Sequence, residues 1–253
     1  MNALTADQLE TYRQAGHLTV ADVFTAEQMD AALEDIARWS DEFRSTMTDE
    51  QRAWYLERGG TGDDISETPL RKLDQPVFER PAFAQLARHA ALVDMVETLI
   101  GKGVSVFFSQ VFMKPPGIGG PKPVHQDNFY FGPVDLDGMV TAWIALDEAT
   151  TENGCLFYGD GTNRRGVVPH VAPEGEPFNL LIPPDQLDCE MTAAPVPRGG
   201  VSFHHGNTYH QSSANRSNRS RRAVAFHYLR NDVQIAKPAL TYDLSRSVTI
   251  TEA

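Results

Sequence analysis

Beyond Gly101-Lys102-Gly103 the chain changes texture, and that change restricts the fold more than any other feature. Residues 104–113 (VSVFFSQVFM) are dense in β-branched and aromatic side chains, which suit a pleated, half-buried surface. Shorter runs of the same kind follow at 140–146, 155–158, 201–204 and 223–229, separated by Gly/Pro turns. No strand–helix alternation appears in this half, which argues against a doubly wound parallel sheet. The pattern predicts a mainly β protein with N-terminal helices, its core a double-stranded β-helix (a jelly-roll, cupin-like barrel).

The first hundred residues read differently. Thr5-Ala6-Asp7-Gln8 has the form of a capping box and opens a short helix expected to stop near Gly16. Thr25-Ala26-Glu27-Gln28 repeats the signal, and Met29, Leu33, Ile36 and Ala37 continue it as an amphipathic helix toward Trp39. Residues 41–75 are polar and read as a loop, with Gly59-Gly60-Thr61-Gly62 as a flexible piece able to cover a cavity. Residues 82–100 read as one more helix. Residues 169–198 hold seven of the sixteen prolines and read as an irregular insertion near the barrel mouth. The expected organisation is one domain over 1–253: a helical part to about 100, a jelly-roll core over about 101–232 and a tail over 233–253.

Composition limits the partners. A net charge of −12 and a pI near 5.0 favour solubility and argue against a nucleic-acid surface. No apolar run is long enough to cross a bilayer, and the N-terminus lacks a signal-peptide pattern, so no membrane partner and a cytoplasmic location are expected. Cys155 and Cys189 imply no disulfide framework and are expected as free thiols.

Chemistry is concentrated in Pro123-Val124-His125-Gln126-Asp127-Asn128 and in Gly206-Asn207-Thr208-Tyr209-His210-Gln211-Ser212, followed by Arg221 and Arg222. On an extended strand residues i and i+2 share a face, so His125 and Asp127 can grip one ion together. Two neutral imidazoles and one carboxylate, with positions left open, suit a non-haem Fe(II) oxygenase. Spacing alone leaves His204, His205, His210 and His227 open as the third ligand. His204 and His205 are adjacent, so on a strand at most one of them points inward. By the same alternation, Arg222 points outward if Arg221 points in.

These motifs resemble the phytanoyl-CoA dioxygenase family of Fe(II)/2-oxoglutarate oxygenases. The matching pieces are Lys114-Pro115-Pro116-Gly117, His125-Gln126-Asp127, 141–147 (TAWIALD), Glu152-Asn153-Gly154-Cys155-Leu156, and His210-Gln211-Ser212 with Asn215, Ser217 and Arg221. The resemblance implies His125, Asp127 and His210 as metal ligands, and Arg221 as the residue that anchors 2-oxoglutarate. It leaves His204 and His205 as supporting residues. Thr141, Trp143 and Ser212 match positions that line the co-substrate pocket, and Gln110 and Lys114 are further candidates there. A guanidinium suits the buried carboxylate because it donates two parallel hydrogen bonds. Where the family continues into a Pro-Gly-Ser-His turn, this chain reads Phe157-Tyr158-Gly159-Asp160, so its substrate-facing edge is expected to differ. Asp127 retains the carboxylate that halogenating relatives replace.

The implied activity is oxidation of an unactivated C–H bond of a small organic molecule, with O2 and 2-oxoglutarate consumed and succinate and CO2 released. A role in natural-product or secondary metabolism is the expected setting. Two other readings compete: a zinc or manganese barrel hydrolase or isomerase, which needs no Arg221, and a metal- or ligand-binding sensor without turnover.

Overall fold

The computed structural model describes residues 3–57, 68–174, 179–240, 243 and 246–252, so the Gly59–Gly62 stretch lies outside the described residues. Capping boxes open α1 (Ala6–Ala15) at Thr5, α2 (Ala26–Thr46) at Thr25 and α3 (Asp49–Tyr55) at Thr48. In each, the threonine hydroxyl accepts from the amide three residues on, and a glutamine side chain there accepts from the threonine amide. Gly16 ends α1 at φ 83, a left-handed conformation that glycine adopts without penalty.

Helix α2 runs past Trp39 to Thr46, and the expected loop over 41–75 contains α3 and a strand. The reason is a third box, Thr48 with Gln51, the same signal that opens α1 and α2. After α4 (Pro76–Glu79), the helix expected over 82–100 is two, α5 (Pro81–Ala87) and α6 (Ala90–Ile100).

The strands are β1 (His17–Val20), β2 (Lys72–Asp74), β3 (Val104–Lys114), β4 (Lys122–His125), β5 (Met139–Ala145), β6 (Leu156–Gly159), β7 (Met191–Ala194), β8 (Val201–His205), β9 (His210–Ser212), β10 (Arg221–Arg230) and β11 (Val248–Thr249). They form two antiparallel sheets, a larger one ordered β1-β8-β5-β10-β3-β11 with β2 also on β3, and a smaller one ordered β4-β9-β6-β7. The fold is a double-stranded β-helix. The described residues between 169 and 198 are less irregular than expected, because β7 pairs with the free edge of β6 and Val171 bridges Leu181.

Strand alternation gives the larger sheet two unlike faces. Ala142, Ile144, Phe203, Val224, Phe226 and Tyr228 point to one side and pack with Met29, Ile36, Phe83, Leu92 and Met95 of the helices. Phe203 and Phe226 have no exposed surface. Burying a side chain of this size stabilises by about 1.5–3 kcal/mol, so this layer secures the sheet. The intervening residues, among them Thr141, Trp143, His204, Arg221, Ala225 and His227, point into the barrel. Among the described residues no helix is long and apolar enough to cross a membrane, and both cysteines are free.

Candidate active site

Short helix α7 (Asp127–Phe131) follows β4 directly, with Gln126 in extended conformation (φ −124, ψ 134) between them. His125 is therefore the last residue of a strand and Asp127 the first of a helix, not two positions on one strand face. Gln126 holds this junction from all sides. Its amide donates to the carbonyls of Gly166 and Asn207, and its side-chain oxygen accepts from Val168 N. Its backbone N–H donates to His170 Nε2. Asn128 N donates to the Gly206 carbonyl, tying α7 to the β8–β9 turn.

His125 and His210 are register partners on β4 and β9. His125 Nε2 lies 3.8 Å and His210 Nε2 3.6 Å from Asp127 Oδ1. The three donor atoms are within 4.8 Å of one another, and all three residues are buried. Each imidazole bonds a backbone carbonyl through Nδ1, His125 to Pro123 at 2.8 Å and His210 to Thr208 at 3.0 Å. Those bonds put the proton on Nδ1 and turn the Nε2 lone pair inward, the tautomer a metal requires. Burial is the main force pushing both pKa values down, His210 to about 3 and His125 well below its ordinary value. Both rings are therefore neutral at neutral pH. Burial works against the Asp127 charge, but His210, the His204 hydrogen bond and His227 outweigh it and hold the carboxyl well below its usual range. Two neutral nitrogens and one anionic oxygen fit a divalent first-row metal.

Oxygen Oδ2 of Asp127 faces the larger sheet. It accepts from Thr141 Oγ1 at 2.6 Å and bonds His204 Nε2 at 3.0 Å. Thr141 Oγ1 also bonds His227 Nδ1 at 2.9 Å. His227, Thr141 and His204 form one row across β10, β5 and β8. Thr141 thus touches the Asp127 carboxylate directly. His205 points the other way, to Asp137 Oδ1 at 2.9 Å.

Deeper along β10, Arg221 is 2% exposed, and its Nε and Nη1 have no hydrogen-bond partner among the described residues. Burial lowers its pKa to about 10, so it stays charged at neutral pH. An unpartnered buried guanidinium is costly, and these N–H groups fit a carboxylate. Its Cζ lies 5.4 Å from the Trp143 ring, and the interior positions between it and His227 on β10 are Ala223 and Ala225. Arg222 points outward, with Nε and Nη2 at 2.7 and 2.8 Å from the Asp147 carboxylate. Lys114 lies opposite Arg221 in register, is buried, and donates to the Gly120 carbonyl. Gln110 donates to Asp74 Oδ1 at 2.7 Å, and Asp74 also bonds Lys72 and Tyr55. Ser212 is buried two positions after His210 on β9. Sequence reasoning missed Tyr158, whose hydroxyl bonds His204, and the clamp made by Gln126. The only local signal for either was the position of Gln126 between two candidate ligands.

A double-stranded β-helix enclosing two imidazoles, one carboxylate and a buried guanidinium defines an Fe(II)- and 2-oxoglutarate-dependent oxygenase. The family model described as phytanoyl-CoA dioxygenase (PhyH) matches residues 12–223, and the chain belongs to that family. Phytanoyl-CoA dioxygenase domain-containing protein 1 of Danio rerio is 25% identical, with 94% of each chain covered. Among solved structures, the non-heme monooxygenase ThoJ superposes with a TM-score of 0.76 at 20% identity, covering 98% of this chain and 84% of that one. The non-heme alpha ketoglutarate dependent carbocyclase SnoK from nogalamycin biosynthesis superposes with a TM-score of 0.72 at 24% identity, covering 98% and 97%. At these identities the two structures bear on the fold alone.

Proposed function

We propose that the protein oxidises an unactivated C–H bond of a small organic molecule, most simply by hydroxylation, with His125, Asp127 and His210 holding the iron. Arg221 receives the distal carboxylate of 2-oxoglutarate. The observation that carries this reading is the pair of unpartnered, buried N–H groups of Arg221 on the interior face that also presents Thr141 and His227 to Asp127. A zinc or manganese hydrolase needs no such guanidinium.

When bound, iron and 2-oxoglutarate supply the oxidising power, and the co-substrate leaves as succinate and CO2. The chain's own residues do the rest. The carbonyls of Pro123 and Thr208 aim the two imidazoles. Thr141 and His204 hold one carboxylate oxygen away from the metal side. Trp143 packs beside Arg221, and Ser212, Gln110 and Lys114 complete the co-substrate side of the pocket. Phe107, Tyr130, Phe131 and Met139, with Phe108 and Leu180 against them, supply an apolar cluster next to α7 that keeps water out. An acidic chain repels polyanions, in keeping with a small-molecule substrate, and we assign the activity to natural-product or secondary metabolism.

The test is coupled turnover: O2 uptake and succinate release across a panel of small organic acids, amines and polyketides. Asp127→Ala should abolish succinate formation in response to any panel member that stimulates the wild type. Coupled turnover surviving in that variant with iron still tightly bound would refute the assignment of Asp127.

A further inference from the structure

The family resemblance leaves His204 as a supporting residue with no defined role and does not single out Tyr158, yet both lie in a continuous hydrogen-bonded path that ends on the Asp127 carboxylate. His204 is 2% exposed and Tyr158 has no exposed surface. Tyr158 Oη is 3.1 Å from His204 Nδ1 and 2.8 Å from Ser202 Oγ, and Thr19 Oγ1 donates to Ser202 Oγ at 3.4 Å. Ring stacking with His17, at 4.2 Å and 16°, fixes the plane of Tyr158.

An ionised carboxylate only accepts, so a His204 ring with a single N–H must carry it on Nε2 to bond Asp127. Its Nδ1 is then an acceptor for the Tyr158 hydroxyl, which in turn accepts from Ser202. Every proton in the path has one consistent place. The other tautomer would set a bare Nε2 lone pair 3.0 Å from Asp127 Oδ2. With Thr141 as second donor, Oδ2 is fully engaged, and only Oδ1 faces His125 and His210.

We propose that His204, locked in one tautomer by Tyr158, is a positioning residue that keeps Asp127 a one-oxygen ligand. A carboxylate that turned both oxygens to the metal would occupy a position that co-substrate or oxygen needs. This inference rests on the metal-centre reading above.

The test titrates metal-free protein with Co(II), following the visible Co(II) bands and measuring affinity by chelator competition, with thermal melting alongside. The variants are His204→Phe, His204→Gln, Tyr158→Phe and His210→Ala. Loss of an outer partner typically weakens metal binding by about 10- to 100-fold, and that range is expected for His204→Phe. Glutamine can place an N–H near the Nε2 position, so His204→Gln should recover most of the affinity. Tyr158→Phe should show a smaller loss with shifted bands. Wild-type affinity and bands in both His204→Phe and Tyr158→Phe, even with lowered melting temperatures, would overturn the proposal. If His204→Phe does not fold, Tyr158→Phe decides by the same criterion. Wild-type protein binding Co(II) no better than His210→Ala would overturn the metal-centre reading, and this proposal with it.

Discussion

Arg221 on β10 and Lys114 on β3 stand opposite each other in register, two buried basic side chains at one end of the same sheet. Glu57 is a buried carboxylate whose charge acts on both, and Asp147 is engaged by Arg222. On the proposed assignment, that end of the barrel receives the distal carboxylate of 2-oxoglutarate. Arg221→Ala removes a paired, charge-assisted contact worth about 1.5–3 kcal/mol, so the dissociation constant for 2-oxoglutarate should rise by roughly 10- to 100-fold. Arg221→Lys should restore only part, because an ammonium cannot make the two parallel bonds. Calorimetry with metal-loaded, oxygen-free protein checks this, and equal affinity in all three forms would contradict it.

Burial first, and Arg221 second, push the Lys114 pKa down to about 7, with Glu57 acting in the opposite sense. An incoming carboxylate favours the protonated ammonium. The sign follows: 2-oxoglutarate binds best below pH 7, and its affinity declines as pH rises above 7 and the vacant site loses that proton. Lys114→Met should bind more weakly at pH 6 and show a flatter profile between pH 6 and 9. Identical profiles in the two proteins would show that Lys114 does not sense the pocket.

Burial lowers the pKa of His210 to about 3 and those of His170 and His227 to about 4. Unfolded imidazoles titrate near 6.5, so between about pH 6.5 and 4 the unfolded chain binds more protons than the folded one. Stability of the metal-free protein is therefore full above pH 6.5 and falls as pH drops. Each fully buried ring contributes a slope of up to about 1.4 kcal/mol per pH unit. Urea melts at pH 7.5 and pH 5 measure it, and a pH-independent midpoint would contradict it.

The C-terminal part of the chain clamps the helix that carries Asp127. Ala236 N donates to the Gly132 carbonyl, Ala239 N donates to the Tyr130 carbonyl, and Pro133 bridges Ile235. Gly132 has φ 63, and a Cβ there would meet Lys237 O at 2.1 Å. Gly132→Ala should therefore displace this segment and lower the melting temperature by several degrees, consistent with a cost above 1 kcal/mol. Metal affinity should fall with it. Unchanged melting and metal binding would show that the clamp is dispensable.

Much of this architecture was legible locally. Thr5/Gln8 and Thr25/Gln28 are self-contained signals, and the β-dense run over 104–113 is β3 nearly to the residue. The equivalent pair Thr48/Gln51 is harder to read because the polar residues around it resemble a loop. The candidate ligands and Arg221 stood out because each sits in a short motif, and the fold brings those motifs into one interior. Asp127 lies on a helix and not on the expected strand for a physical reason. Phe129-Tyr130-Phe131 has β-forming composition, but α7 is held helical by non-local partners, Gly206 and the C-terminal segment. The Tyr158–His204 path was invisible for the same kind of reason. It depends on β6 of the smaller sheet facing β8 of the larger across the barrel interior, which no local spacing encodes.

The most direct measurement is an anaerobic titration of metal-free protein with Fe(II) and then 2-oxoglutarate, recording the weak visible charge-transfer band of the chelate. The wild type should develop the band. Arg221→Ala should need much more 2-oxoglutarate to reach it, and His210→Ala should not develop it at all. Absence of the band in the wild type, with iron bound no better than zinc, would contradict the oxygenase account.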